Sequence, residues 1–444
     1  MGADLKNVLI VCACVYFVFS RSVRATVVFD SSVLLISFDG FRYDFANRNL
    51  TPNFLKIKGR GSWADHMKPQ FPTKTYPNHH SIVTGLYPEV HGVLANSVFD
   101  SDFKSELQFE DPKLYHYNEG IEPIWMTNER ERRPTSDKEE RKAHPRSLSG
   151  VMMWPGIQHT FQNKTATFSV PMNRSMPWEE RVDSVLGWFT HPETPINLGL
   201  AYFEEPDTQS HLHGPNSREV NETIKRVDAL VGYLIEKIDQ HNLTRTLNVI
   251  IVSDHGSHES KFENLIDISR FVDMQQLSWA GCSPILQIQP KKGKLEEVFS
   301  NLTKFTKEKH FKVYRKRQIP EHWRYKKNNR TAELLVLADV GYAFQGRIKN
   351  IDEDWKSIYY NQTLKPGQIF GVHGYSNEEI SMRPSFFSWG PRIRPGFHLN
   401  QTFENIDIHP LISLMLSIPP LPPHLKANGS LSTVAKILRE IHPK

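Results

Sequence analysis

The chain has 444 residues, 39% of them hydrophobic and 23% charged, with 54 Lys and Arg against 49 Asp and Glu for a formal charge of +5. That is a globular composition with enough apolar residues for a sizeable core, in one large domain or two ordinary ones. So small a basic excess excludes a role built on nucleic-acid binding.

At the start of the chain, Lys6 precedes the apolar run VLIVCACVYFVF, and SRSVRA follows, with small residues at Val23 and Ala25. A charged start, a short hydrophobic centre and a cleavage site of this kind predict a signal peptide over residues 1–25. The run is too short for a membrane span. Cleavage removes three basic residues and one acid, leaving 51 against 48, or +3. It also removes Cys12 and Cys14, so Cys282 is left alone and no intramolecular disulfide can form. Cys282 is expected to be a buried small residue rather than a reactive one. Ten N-x-S/T sequons, at Asn49, Asn163, Asn173, Asn221, Asn242, Asn301, Asn329, Asn361, Asn400 and Asn428, support a secreted glycoprotein.

The first strand signal is SVLLISFD, a continuous apolar run ending in Asp39. Phe71–Gly92, FPTKTYPNHHSIVTGLYPEVHG, then presents two threonines around a lysine, ahead of two histidines. Thr75 taken alone reads as a helix cap or turn residue. Residues 128–146 are dense in charge without apolar periodicity and predict an exposed loop. INLGLAYFEEPD is a second strand, ending at Asp207, and EVNETIKRVDALVGYLIEKIDQ a helix with Ile224, Val227, Leu230, Val231, Leu234, Ile235 and Ile238 on one face. TLNVIIVSD is a third strand, ending at Asp254. Continuous apolar runs suit strands buried on both faces, and their alternation with helices predicts an α/β fold: a mostly parallel central sheet with helices on both faces. Ligands bind such sheets beyond the carboxyl ends of the strands, where three aspartates are delivered. The carboxyl-terminal stretch has no second hydrophobic span, which predicts a soluble product without a membrane anchor once the signal peptide is cut.

Asp and His residues gather at those strand ends. Asp39 opens DGFR, Asp207 and His211 form D-x-x-x-H, Asp254 and His255 are adjacent, and His373 sits in GVHGYS. A lone D-x-x-x-H recurs in proteins that hold no metal; the joint occurrence carries the weight. Oxygen and imidazole nitrogen are zinc's ligands in hydrolytic sites, and manganese suits such donors too. Two metals about 3.5–4 Å apart can clamp the attacking and leaving oxygens of a phosphoryl transfer. A threonine hydroxyl bound to one of them would have its pKa lowered enough to attack.

The stretches LLISFDGFRYD, TPNF, FPTKTYPNHHSIVTGLYPEVHGVLANSVFD, EPIW, WPG, EERV, EEPDTQSHLHGP, VIIVSDHG, LVLADVGYAF and HGYSN, with the closing NIDIHPLISLMLSIPPLPPHLKANGSL, resemble the nucleotide pyrophosphatase/phosphodiesterase family of the alkaline phosphatase superfamily. The resemblance covers nearly the whole chain after residue 25. It implies an alkaline phosphatase-like fold, with residues 26–444 as a single phosphodiesterase domain like the short members, which lack cysteine-rich and nuclease-like modules. It implies two Zn2+ per chain, one held by Asp207, His211 and His373, the other by Asp39, Asp254, His255 and Thr75. Thr75 would be the nucleophile and Asn96 the donor to a non-bridging phosphate oxygen. Tyr76 would cover one face of the nucleotide base, with Lys74 and Trp154 also lining the pocket. The second aromatic expected shortly before SMPWEER is missing from its usual spacing, Phe168 being the nearest. The loop at 128–146 is longer than its family counterpart.

The implied activity is hydrolysis of extracellular nucleotides (ATP, ADP, dinucleotides) to nucleoside monophosphates through a phosphothreonyl intermediate. Relatives with the same metals act on lysophospholipids and choline phosphodiesters, which is the competing enzyme reading. A secreted glycoprotein that acts by binding a partner is the reading of another class, against which the intact ligand set argues.

Overall fold

The computed structural model of the chain describes residues 31–118, 120–130, 147–280, 282–304, 310–345, 364–419 and 427–440. The expected signal peptide, residues 131–146 of the charged loop and Asn361 lie outside the described residues.

Ser32–Phe38 is buried along its whole length and pairs in parallel with Leu198–Phe203 on one side and Leu247–Val252 on the other. Both neighbours are buried throughout as well. A strand covered on both faces has no solvent side on which to place polar residues, so the apolar runs are continuous. These three strands form the centre of an eight-stranded sheet, in the order Phe397–Leu399, Ser62–Ala64, Phe386–Trp389, Leu247–Val252, Ser32–Phe38, Leu198–Phe203, Ser149–Met152, Phe168–Val170. Within it Phe386–Trp389 alone runs against its two neighbours. The expected mostly parallel α/β sheet is what the chain forms.

The main helices pack in two groups. Pro52–Arg60 and Trp178–Phe189 both pack on Arg218–Gln240, and Thr75–Thr84, Ile124–Arg130 and Ile408–Met415 touch one another. Arg218–Gln240 begins at Ser217, whose side chain accepts from the Val220 amide, and buries Val220, Ile224, Val227, Leu230, Val231, Leu234 and Ile238. Each such aliphatic side chain contributes roughly 1.5–3 kcal/mol when fully buried. Ile235, expected on the same face, is only half-buried. The same helix turns Asp228 inward to cap its neighbour: the carboxylate accepts from the amides of Asn53 (2.9 Å) and Phe54 (3.0 Å), two of the unpaired donors at the start of Pro52–Arg60.

A four-stranded antiparallel sheet, in the order Leu277–Ala280, Ile285–Pro290, Leu334–Ala338, Phe311–Arg315, is an addition to the expected architecture. The amino-terminal edge of the charged loop is a correction. Residues 128–130 close the helix Ile124–Arg130, and Asn128 is buried, donating to Asn197 Oδ1 (2.9 Å) and Ser149 Oγ (3.0 Å). Cys282 is half-buried rather than buried, with its sulfur 3.2 Å from Ser97 Oγ. Nine sequon asparagines are described, and all are at least partly exposed. Among the described residues no helix is long and apolar enough to cross a membrane.

Candidate active site

Thr75 is the first residue of the ten-residue helix Thr75–Thr84, which ends at Gly85 in the left-handed conformation (φ 68°). The amino-terminal end of a helix carries unpaired N–H groups and the positive end of its dipole, a natural seat for phosphate. Asn78, fully buried one turn on, fixes the loop that enters the helix. Its amide donates to the carbonyls of Pro72 (3.0 Å) and Lys74 (2.9 Å), and its Oδ1 accepts from the Gln70 amide (2.7 Å). Thr75, Tyr76 and Asn96 stay partly exposed at the front of this arrangement.

The three expected aspartates arrive from neighbouring strands. Asp39 follows Ser32–Phe38, Asp254 follows Leu247–Val252, and Asp207 opens the helix after Leu198–Phe203. The turn after Asp39 needs Gly40, whose φ is 66° and where a Cβ would lie 2.8 Å from Asp207 Cβ. His373 follows the short strand Ile369–Val372. Two donor groups result, Asp207–His211–His373 and Asp39–Asp254–His255, each with ligand atoms within 4.8 Å of one another and all six residues buried. His255 and His373 stack at 3.5 Å between ring centroids, so the groups adjoin. Thr75 Oγ1 lies 3.3 Å from His255 Nε2.

Hydrogen bonding shows which atom each residue offers. His211 Nδ1 is 2.8 Å from Gly371 O, His255 Nδ1 2.9 Å from Gly256 O, and His373 Nδ1 2.8 Å from Thr73 O. A carbonyl only accepts, so each Nδ1 carries the proton, and in a neutral ring Nε2 is left with its lone pair. The Nε2 atoms of His211 and His373 face each other at 3.1 Å. Asp39 Oδ2 accepts from the Tyr202 hydroxyl (2.6 Å) and Asp254 Oδ1 from the Gly40 amide (3.2 Å). Asp39 Oδ1, Asp207 Oδ1 and Asp254 Oδ2 are buried without a well-aligned hydrogen bond, facing imidazole nitrogens instead: His255 Nε2 is 3.4 Å from Asp39 Oδ1 and 2.9 Å from Asp254 Oδ2, and His373 Nε2 is 3.9 Å from Asp207 Oδ1.

The electrostatics agree. Burial, then the charges of Asp254 and Asp207, hold Asp39 well above the usual carboxylate range. Burial pushes Asp254 up, but His255 and His79 more than offset it and hold it down to about 2. Burial presses on His255 too, yet Asp254 lifts it above its ordinary value. Burial, His255 and Lys74 hold His373 far down. Converging carboxylates with orphaned oxygens, beside imidazoles that turn lone pairs toward each other, call for divalent cations; the donor set fits them.

Of the remaining expected residues, Asn96 Oδ1 accepts from the Tyr76 amide (3.3 Å), which turns its NH2 end the other way. The Tyr76 ring stacks on Phe109 at 4.5 Å and 20°. Phe168 is on the outermost strand of the sheet, stacked on Trp188 at 5.4 Å and 5°, and is committed there. Lys74 and Trp154 are both buried. Lys74 is 2% exposed with Nζ 2.6 Å from Ser283 O, and burial lowers its pKa to about 8. Trp154 is fully buried with its ring edge-on to His79.

Sequence reasoning missed three groups. Tyr202 steadies Asp39. His79 donates from Nδ1 to Thr75 O (2.9 Å) and lies 3.5 Å from Asp254 Oδ2. Phe109 covers the back of Tyr76. The position of His79 one helical turn after Thr75 could have flagged it; Tyr202 and Phe109 carry no local signal.

A family profile described as type I phosphodiesterase / nucleotide pyrophosphatase matches residues 33–376. The human ectonucleotide pyrophosphatase/phosphodiesterase family member 5 is 35% identical over 414 residues, 93% of this chain and 79% of the relative. The bis(5'-adenosyl)-triphosphatase of Xenopus laevis is 33% identical over 407 residues, 91% of this chain and 81% of the relative. Among solved structures, that of the human family member 5 superposes with a TM-score of 0.79 at 34% identity, covering 92% of this chain and all of the other. The murine family member 5, as an inactive threonine-to-alanine variant in complex with AMP, gives a TM-score of 0.78 at 33% identity over the same share of both chains. On this sequence and structural likeness, the chain belongs to the type I phosphodiesterase/nucleotide pyrophosphatase family, hydrolases of phosphodiester and phosphoanhydride bonds.

Proposed function

We propose that the protein is a secreted, zinc-dependent phosphodiesterase that cleaves extracellular nucleotides to nucleoside monophosphates by two displacements at Thr75. The observation that carries this reading is the placement of the Thr75 hydroxyl at a helix amino terminus, 3.3 Å from His255 Nε2 and beside both donor groups. Asp207, His211 and His373 would hold one cation, and Asp39, Asp254, His255 and Thr75 the other. Divalent cations bound there supply charge neutralisation at the phosphoryl oxygens and depress the pKa of an oxygen nucleophile.

In the first displacement Thr75 Oγ1 forms a bond to phosphorus as the bond to the leaving alcohol or pyrophosphate breaks, giving a phosphothreonine. In the second, water attacks that phosphorus, frees Thr75 and releases the monophosphate. The Asn96 NH2 donates to a non-bridging oxygen as its charge rises, and the helix amino terminus supports the same charge. Tyr76, backed by Phe109, offers its other face to the base. AMP in the murine relative and the adenosyl substrate in the name of the frog relative both favour nucleotides. The exposed sequons favour secretion and glycosylation.

The test is hydrolysis of p-nitrophenyl thymidine monophosphate beside p-nitrophenyl phosphate and p-nitrophenyl phosphorylcholine, with and without chelator, for wild type and Thr75→Ala. A chelator-sensitive rate on the thymidine diester that Thr75→Ala abolishes is expected. Preference for the choline diester would move the substrate to lipids. No rate on any of the three, with metal bound, would leave the binding glycoprotein as the better reading.

A further inference from the structure

Charge is unevenly distributed along this chain. Residues 310–330, HFKVYRKRQIPEHWRYKKNNR, hold eight Lys and Arg against one Glu, a formal +7 in 21 residues, whereas all 444 residues together carry +5. The other 423 therefore sum to −2. Two of the eight cations are internally used: Arg330 is buried on Asp100 (2.7 Å), and Arg315 pairs with Glu296 (2.6 Å).

Five of the others, Lys316, Arg317, Arg324, Lys326 and Lys327, are gathered by the fold. Lys316 Nζ donates to Asn328 O (2.9 Å) and Lys326 Nζ to Arg317 O (3.3 Å), which draws the two basic runs 315–317 and 324–327 against each other. Glu321 alone answers them from within the segment, 2.8 Å from Lys326 and 3.9 Å from Lys327. Arg317, Arg324 and Lys327 are exposed. The inner side of the segment is rigidly rooted: Trp323 stacks on Phe71 at 4.1 Å and 13°, and Tyr325 meets the same ring edge-on. Concentrated cations on a fixed base, outnumbering the neighbouring carboxylates of Glu321, Glu89 and Glu333, make a docking face for a polyanion. Guanidinium groups suit planar, multidentate oxyanions, and ammonium groups act as point charges beside them.

We propose that this face docks a linear sulfated polysaccharide, the polyanion that a protein carrying nine surface sequons would meet on its expected extracellular route. It is a binding function separate from phosphodiester hydrolysis, and it stands or falls by a different measurement. Association releases counterions from the polyanion, so it weakens steeply with salt.

The experiment uses the protein secreted by glycosylating cells, since Asn329 is an exposed sequon inside the segment, and repeats it after enzymatic removal of N-glycans. Binding to a heparin octasaccharide is followed by fluorescence anisotropy over a salt series. The charge variant Arg317→Glu/Arg324→Glu/Lys327→Glu is compared with Lys56→Glu/Arg245→Glu/Lys164→Glu, which makes the same charge change elsewhere. Thermal melts establish that both fold, and both should keep the wild-type phosphodiesterase rate. Affinity on the order of a hundredfold weaker in the first variant, with a salt slope shallower by about three, and unchanged binding in the second, is expected. Equal losses in both variants, equal binding of fully desulfated heparin, or tighter binding of single-stranded DNA or phosphatidylserine vesicles at the same salt would each overturn the proposal. So would binding that exists only after the N-glycans are removed.

Discussion

Asn96 offers the sharpest test of the site's chemistry, because the structure fixes which way its amide points. Its Oδ1 is taken by the Tyr76 N–H at 3.3 Å, so the NH2 end is free to donate to phosphate. Replacing it with alanine removes one donor to a developing anion, a loss of about 2.7–4 kcal/mol in the transition state, or about 10²–10³ in kcat. Replacing it with aspartate keeps the acceptor for Tyr76 and nearly the same shape, but presents a carboxylate oxygen where the NH2 was. At about 4 Å from a phosphoryl charge and an effective dielectric of about 20, that repulsion costs ~4 kcal/mol, a further factor of about 10³. The order predicted is wild type, then Asn96→Ala, then Asn96→Asp, measured as kcat and KM on p-nitrophenyl thymidine monophosphate with metal content and melting temperature recorded for each. If Asn96→Asp is as active as Asn96→Ala at equal metal content, the amide does not face the phosphate and the orientation argued from Tyr76 is wrong.

Tyr202→Phe removes the hydroxyl that holds Asp39 Oδ2 and should weaken metal binding by about 10–100-fold, read by competition against a chromogenic chelator; affinity within twofold of wild type would refute the role. Asp228→Ala uncaps the Pro52–Arg60 helix and should cost about 1–2 kcal/mol in urea denaturation while leaving kcat intact. Arg181→Met strips the buried partner of Glu204, 2.7 Å away, and should cost about 3–5 kcal/mol at neutral pH. Burial pushes Glu204 up, but the Arg181 bond and charge more than offset it, so Glu204 titrates below its ordinary 4.5. That depressed carboxyl gives stability that is present above its unfolded value and lost as pH falls through the lower folded one. The variant should therefore lose less stability than wild type on acidification below about pH 4.5, and parallel acid limbs would contradict the assignment.

The scaffold was legible because burial on both faces leaves a coarse mark. SVLLISF, LGLAYF and LNVIIV admit no polar residue facing solvent, and the first acid beyond each run marks where the sheet meets water. The ligand residues followed from those ends, and the motif around Thr75 from a family likeness. The four-stranded antiparallel sheet left no comparable mark: Phe311–Arg315, for instance, alternates between buried Phe311 and exposed Lys312 before becoming half-buried, in a run too short to establish a period. The partners of the ligands were unreadable for another reason. His211 is tied to Gly371, 160 residues away, through a backbone carbonyl that every residue type possesses. Lys74 shows a further limit. Position beside the nucleophile places it near the site, but its burial and its bond to Ser283 O depend on a segment 209 residues away that only the fold supplies.

A single rule underlies the site's arrangement: where the scaffold ties one atom of a ligand residue, the other is left inward. For His211, His255 and His373 the tied atom is Nδ1 and the inward one Nε2. For Asp39 the tied atom is Oδ2 and the inward one Oδ1, and for Asp254 the tied atom is Oδ1 and the inward one Oδ2. A core assembled for stability alone would have no reason to bury three converging carboxylates beside facing lone pairs, since a buried polar atom without a well-aligned partner costs about 1–3 kcal/mol. The surrounding sheet tolerates that cost because its strands are fixed by apolar packing that does not involve the site. Three carboxylates and three imidazoles that converge on one another, five of them with the other atom tied by the scaffold, are the mark of groups selected for what they bind.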